Sequence, residues 1–229
     1  MLDSAQPDGA VGPVDLSNID FDGLDGRISG CRLCQLATTR TRAVPGSGSR
    51  TAEVMFIGEG PGFHEDQQGK PFVGRAGQFL DQLIGLIGLN RGDVYITNVV
   101  KCRPPNNRDP LPHELAVCRP YLDRQIELID PRVIVTLGRY SLGTFFPGDV
   151  ISRVHGTIRS KDGRHFCAMF HPAAALHQER YRQLIIDDMK RLGEWLDVRA
   201  QEQAKLALEV LVDPSTPDRP HQSEQLALF

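Results

Sequence analysis

The chain has no apolar run approaching the roughly 20 residues a membrane-crossing helix needs, which excludes a helical membrane span. Its first residues carry neither the basic start nor the apolar stretch of a secretory signal, so the expected location is cytoplasmic. There is no internal repeat. Cysteine is scarce, with five in 229 residues. In a reducing compartment a few thiols argue for metal or redox chemistry rather than disulfides. Lys and Arg are missing from residues 1–26, which hold six Asp (Asp3, Asp8, Asp15, Asp20, Asp22 and Asp25). Residues 199–229 carry five acids against three bases. The formal net charge of −3 therefore hides a central body with 23 bases and 18 acids. That surplus permits contact with phosphate without demanding it.

What is present is an alternation of strand-like and helical segments. Val54–Ile57, Val94–Val100, Val133–Leu137 and His165–Phe170 are short apolar or β-branched runs that read as buried strands. Between and after them, Phe79, Leu80, Leu83, Ile84, Leu86 and Ile87, then Leu115, Cys118, Leu122, Ile126 and Ile129, repeat at helical spacing. The second set predicts a helix from about Pro112 to Ile129, and periodicity returns over about Arg180–Leu196. This pattern predicts an α/β fold with a mainly parallel sheet covered on both faces. The expected organisation is a flexible acidic arm over 1–27, a central domain over 28–200, and a flexible tail over 201–229 with a Pro-Ser-Thr-Pro linker composition. In open parallel sheets the site lies beyond the carboxyl ends of the strands. Gly58–Gly62, Asn98–Arg103 and His171–Leu176 each directly follow a predicted strand, so three separated motifs converge on one rim.

Cys31 and Cys34 form a CxxC, and Cys102 and Cys118 stand fifteen residues apart. Four thiolates hold either Zn²⁺ or an iron–sulfur cluster, and spacing alone leaves both open. Cys167, inside a strand-like run, reads as a buried free thiol.

Together these residues resemble the family-4 uracil-DNA glycosylases, the iron–sulfur members of the uracil glycosylase superfamily. The resemblance covers roughly residues 28–197. It rests on Cys31-Arg-Leu-Cys34, Gly58-Glu-Gly-Pro-Gly62 with Glu65-Asp66, Gly69-Lys-Pro-Phe-Val-Gly74, Thr97-Asn-Val-Val-Lys-Cys-Arg-Pro-Pro105, Cys118 and His171-Pro-Ala-Ala174. It implies a three-layer α/β/α sandwich on a four-stranded, mainly parallel sheet. It also implies a [4Fe–4S] cluster on Cys31, Cys34, Cys102 and Cys118. Glu59 and the Asn98 motif separate the chain from the family-5 enzymes, which lack the acid in the first motif. A branch that traps uracil covalently carries a basic, histidine-containing insertion after the asparagine motif, and Cys102–Pro110 shows none.

The resemblance implies a hydrolase that flips uracil out of DNA and leaves an abasic site. In that reading Asn98 donates to uracil O4 and accepts from N3–H, a pattern cytosine reverses. Phe72 stacks on the base, and Glu65 sits near C5, where bulk excludes the thymine methyl. His171 hydrogen-bonds O2 and stabilises the departing anion. Glu59 orients the attacking water, and Gly60 lets backbone approach the ligand. No matched position offers an amine for a lyase step, and Lys101 reads as a phosphate contact or a solvated charge. Leu176 is a candidate wedge into the base stack, and Arg103, Arg108, Arg180 and Arg182 are candidate phosphate contacts. Two readings from other classes stand beside it: a protein that traps uracil-DNA without turnover, and an iron–sulfur redox sensor seated on DNA. The chain ends in Gln225, Leu226, Ala227, Leu228 and Phe229. These resemble the short motif by which bacterial repair proteins dock on the sliding clamp, with Leu and Phe as anchors on a tether. Nothing in the sequence calls for more than a monomer.

Overall fold

The computed structural model describes residues 15–212. The first helix, α1 (Phe21–Gly30), opens at Asp20, whose side chain accepts from the Gly23 backbone N–H and caps it. Leu24 and Ile28, one turn apart, are fully buried, and Leu16 ahead of them is nearly so. This corrects the arm expected over 1–27. Ordered structure reaches back to Asp15, because these three side chains give an acidic segment one apolar face that packs beside Cys102, Cys118 and Tyr121. Residues 1–14 lie outside the described residues.

The chain continues through α2 (Leu36–Thr39), β1 (Ser47–Gly48), β2 (Val54–Gly58), α3 (Phe63–Gln68), α4 (Arg75–Leu86) and β3 (Tyr95–Asn98). After a 3-10 turn over Pro105–Asn107 come α5 (Pro112–Ile129), β4 (Val133–Leu137), α6 (Arg139–Phe145) and α7 (Ile151–Val154). The hairpin β5 (Ile158–Lys161) and β6 (Arg164–Met169) leads to α8 (Pro172–His177) and α9 (Glu179–Val212). The sheet order is β1-β3-β2-β4-β6-β5. The four central strands are parallel, as expected. The four-stranded expectation is corrected to six strands, since short antiparallel strands extend both edges. The β5–β6 turn is Asp162-Gly163, both residues at positive φ (50° and 77°), the two-residue turn whose twist suits a hairpin.

Strand residues alternate between the faces of the sheet. Met55, Ile57, Tyr95, Ile134 and Phe166 pack against Leu122, Ile126 and Ile129 of α5 and Phe145 of α6. Their neighbours Phe56, Ile96, Val135 and Cys167 turn to the other face. There α4 contributes the buried Phe79, Leu80, Leu83 and Ile84, and α9 contributes Ile185 and Met189. Helices therefore flank both faces, and β2, β3 and β4 are buried along their whole length, which is why the central strands read as short apolar runs. From β2 the chain steps first to β3 on one side and later to β4 on the other. Such a reversal of strand order opens a crevice beyond the carboxyl ends.

Among the described residues, those up to Leu192 form one compact unit and those from Gly193 a second. Helix α9 runs unbroken past residue 200, so the tail expected from 201 begins as helix. Within the second unit Arg199 lies 5.6 Å over the Trp195 ring and pairs with Glu202 at 2.8 Å. Among the described residues no helix is long and apolar enough to cross a membrane.

Candidate active site

A cavity of about 410 Å³ lies at this rim, walled by Glu59, Gly60, Pro61, Gly62, Glu65, Phe72, Asn98, Asn107, Arg108 and His171, among others. The ends of β2 and β3 zip together past the sheet proper. Val99 N–H donates to the Gly58 carbonyl at 3.0 Å and Val100 N–H to the Glu59 carbonyl at 3.1 Å. This places Glu59 beside the strand end that carries Asn98. Gly58 must be glycine: a Cβ there would fall 2.4 Å from Asn98 Oδ1 and 2.7 Å from the Phe72 ring.

Asn98 is 1% exposed, and its Oδ1 is buried with no hydrogen-bond partner. A buried acceptor left unpaired costs about 1–3 kcal/mol, so it marks a place where a ligand donor belongs. His171 caps α8, its Nδ1 accepting from the Ala173 backbone N–H at 3.1 Å. Loss of solvation pushes its pKa down to about 4, against an opposing pull from Glu65. The ring is therefore neutral at pH 7 with its proton on Nε2, a donor. One cavity wall thus supplies an unpaired acceptor and a neutral donor.

Phe72 is buried and held at φ 51°, in the left-handed region that a bulky residue rarely enters. Glu65 explains how this is held. Its Oε1 accepts from both the Val73 and Gly74 backbone N–H groups at 2.9 Å, fastening the loop that bears Phe72. Gly77 presses from beneath, since a Cβ there would strike the Phe72 carbonyl oxygen at 1.9 Å. The Phe72 and His171 rings lie 24° from parallel with centroids 5.4 Å apart, an offset stack. Glu65 lines the cavity, with one oxygen committed to holding the wall.

Burial pushes the Glu59 pKa up to about 7, with Asp109 adding to the rise and Arg139 opposing it. Asp109 and Arg139 are themselves ion-paired. Neither was singled out from sequence, because the pair forms only when the loop before α5 meets the start of α6. Gly60 passes close to Val100, whose Cγ2 would lie 2.8 Å from an added Cβ.

Lys101 overturns its sequence reading. It is 1% exposed, with Nζ donating to Thr97 Oγ1 at 2.6 Å, the Asn98 carbonyl at 2.7 Å and Gln125 Oε1 at 2.6 Å. Burial lowers its pKa to about 8, and the side chain lies too deep to meet phosphate or solvent.

The arginines expected to grip DNA already hold partners within the protein. Arg108 lines the cavity, but its guanidinium grips the buried Glu114 carboxylate at 2.6 and 2.9 Å. Arg103 donates to Asn107 Oδ1 at 2.8 Å and lies 5.2 Å over the exposed Phe63 ring. Arg180 covers Tyr181, and Arg182 covers Phe79. Leu176 is half-buried on α8, five residues after His171.

Cys31, Cys34, Cys102 and Cys118 line one small apolar cavity between α1 and α5, with Ile28, Leu36, Val100 and Tyr121. Among the described residues no three His, Cys, Asp or Glu close on a single metal ion. The four thiols nonetheless share one cavity, where they would serve as ligands to a metal or cluster. Two sulfurs already accept hydrogen bonds: Cys102 Sγ from Arg40 at 2.8 Å and Cys118 Sγ from the Lys101 backbone N–H at 3.3 Å. Donors of this kind suit thiolates. The four cysteines are a donor set of the kind that holds an iron–sulfur cluster. Cys167 is fully buried in β6, as expected.

A mainly parallel sheet with a cavity beyond its strand ends, and four cysteines lining a second cavity, gives the class of the fold and its site. The match to known proteins makes it particular. Residues 45–190 match the Uracil DNA glycosylase superfamily, and the chain belongs to it. It is 46% identical over 183 residues to the Type-4 uracil-DNA glycosylase of Archaeoglobus fulgidus, covering 76% of this chain and 92% of that one. The Type-4 enzyme of Thermotoga maritima is 44% identical, over 74% of this chain and 91% of its own. The Type-5 uracil-DNA glycosylase of Thermus thermophilus is 33% identical over 57% of this chain and 68% of its own.

Proposed function

We propose that the chain is a monofunctional uracil-DNA glycosylase that releases uracil from DNA and leaves an abasic site for base-excision repair. The observation that carries this is the unpaired Asn98 Oδ1 in a cavity shared with a neutral His171 donor. Uracil N3–H satisfies the first and uracil O2 the second, whereas cytosine, with an acceptor at N3, leaves Asn98 unpaired. The flipped base lies against Phe72 at the floor made by Gly58. The C1′–N1 bond breaks with its electron pair leaving on uracil. His171 Nε2–H stabilises the charge gathering at O2. Glu59 holds a water against C1′ and takes its proton as the C1′–O bond forms. A pKa near 7 leaves a large fraction of Glu59 ionised at neutral pH.

Cys31, Cys34, Cys102 and Cys118 would hold a [4Fe–4S] cluster, whose iron–thiolate bonds tie the CxxC to the loop after Asn98. The cluster's part is structural. The C-terminal Gln225, Leu226, Leu228 and Phe229 lie outside the described residues; docking on a sliding clamp, a monomeric state and a cytoplasmic location complete the reading. The test is a labelled oligonucleotide bearing one uracil, given to cluster-loaded protein. Repeated turnovers yielding free uracil and an alkali-labile site are expected. Absence of released uracil overturns the reading, and a protein–DNA adduct surviving denaturant favours trapping instead.

A further inference from the structure

The lysine ammonium has three N–H donors, and at Lys101 all three are used inside the protein. Among the described residues no carboxylate comes within ion-pairing distance of it. Such a cation is costly to bury, and an apolar side chain of like volume often serves packing as well or better. Its three acceptors show what the charge does. Thr97 and Asn98 belong to the strand end that carries the base-reading amide, and Gln125 belongs to α5. Gln125 is held in turn, its Nε2 donating to the Pro45 carbonyl at 2.9 Å and to Tyr95 Oη at 3.2 Å. Thr97 Oγ1 donates to the same Pro45 carbonyl at 2.6 Å.

The peptide after Asn98 is thereby gripped from both sides. Its N–H, from Val99, goes to Gly58, and its carbonyl goes to Lys101. That peptide sets the direction in which the Asn98 side chain leaves the backbone. We propose that Lys101 is a positioning residue that locks the Asn98 peptide so that its amide reads uracil. The inference rests on Asn98 being the base reader.

The test uses the cluster-loaded full chain with Lys101→Met, which removes the charge while keeping length and apolar bulk. The expected result is visible cluster absorbance like wild type, with DNA affinity and its salt dependence unchanged, because Lys101 faces no solvent. Single-turnover excision and inhibition by free uracil both weaken by about 100-fold, the scale of a roughly 1 Å misplacement in a reacting site. A merely structural lysine would lower the melting temperature and leave uracil inhibition alone; that outcome overturns the inference. Should Lys101→Met fail to accumulate folded, Thr97→Val, which removes one acceptor, carries the same test. About tenfold weaker uracil inhibition supports the proposal, and unchanged inhibition overturns it. Wild type that releases no uracil overturns the glycosylase reading itself. Active wild type beside a Lys101→Met with normal uracil inhibition overturns only the role of Lys101.

Discussion

The rim pocket and the cysteine lobe bury polar atoms in opposite ways. In the pocket Asn98 Oδ1 has no partner, while burial raises the Glu59 pKa to about 7. In the lobe, Arg40 and the Lys101 backbone already donate to Cys102 and Cys118. On the proposed function, the group that meets a transient ligand is left unpaired and tolerates the cost, whereas the groups that would hold a cluster are supported in advance. The two regions meet within one stretch of chain. Asn98 faces the pocket, Cys102 faces the lobe, and Lys101 between them turns into the core.

If that contrast is right, damage to the lobe acts on folding and damage to the pocket on chemistry. The largest effect is expected from Cys118→Ala: loss of visible colour, and a melting temperature lowered by roughly 10 °C or more, as several kcal/mol of folding energy is withdrawn. Colour and melting unchanged from wild type would break the comparison. His171→Ala should cost about 10²–10³-fold in single-turnover excision, the scale of removing one oxyanion donor, with melting and colour intact. Gly58→Ala places a methyl against Asn98 Oδ1 and Phe72. Excision should fall about 100-fold while DNA affinity holds, read by rate and binding isotherm together.

The smallest effect is on pH. In the proposed role Glu59 works as a carboxylate, which predicts that kcat/KM rises with pH through about 7. His171, with a pKa near 4, stays neutral across that window and adds no second limb. Asp109→Asn removes a neighbour that raises the Glu59 pKa and frees Arg139, which lowers it. The midpoint should move to lower pH; a midpoint that stays or rises would show that Glu59 does not set the profile.

Much of the fold was legible because the central strands are apolar on both faces and α5 keeps strict helical spacing. The α5 and β4 boundaries, Pro112–Ile129 and Val133–Leu137, agree with their sequence reading residue for residue. The β5–β6 hairpin went unread although Asp162-Gly163 is a strong turn signal, since Ile158–Lys161 alternates too weakly to suggest a strand. Helix α1 was hidden among Asp and Gly, and depends on packing beside the cysteines. The site motifs converge as their strand-end positions imply. Lys101 was misread because lysine ordinarily faces water, and its Gln125 acceptor comes from a helix 24 residues further on. Glu65 was legible as a pocket residue, but its grip on Val73 and Gly74 appears only when the loop closes.

The most direct test is Asn98→Ala beside wild type, in single-turnover excision from a one-uracil duplex at fixed salt, with DNA affinity measured in parallel. Loss of at least about 100-fold in excision, with unchanged DNA affinity, is the predicted result. Excision at the wild-type rate would contradict the claim that Asn98 reads the base.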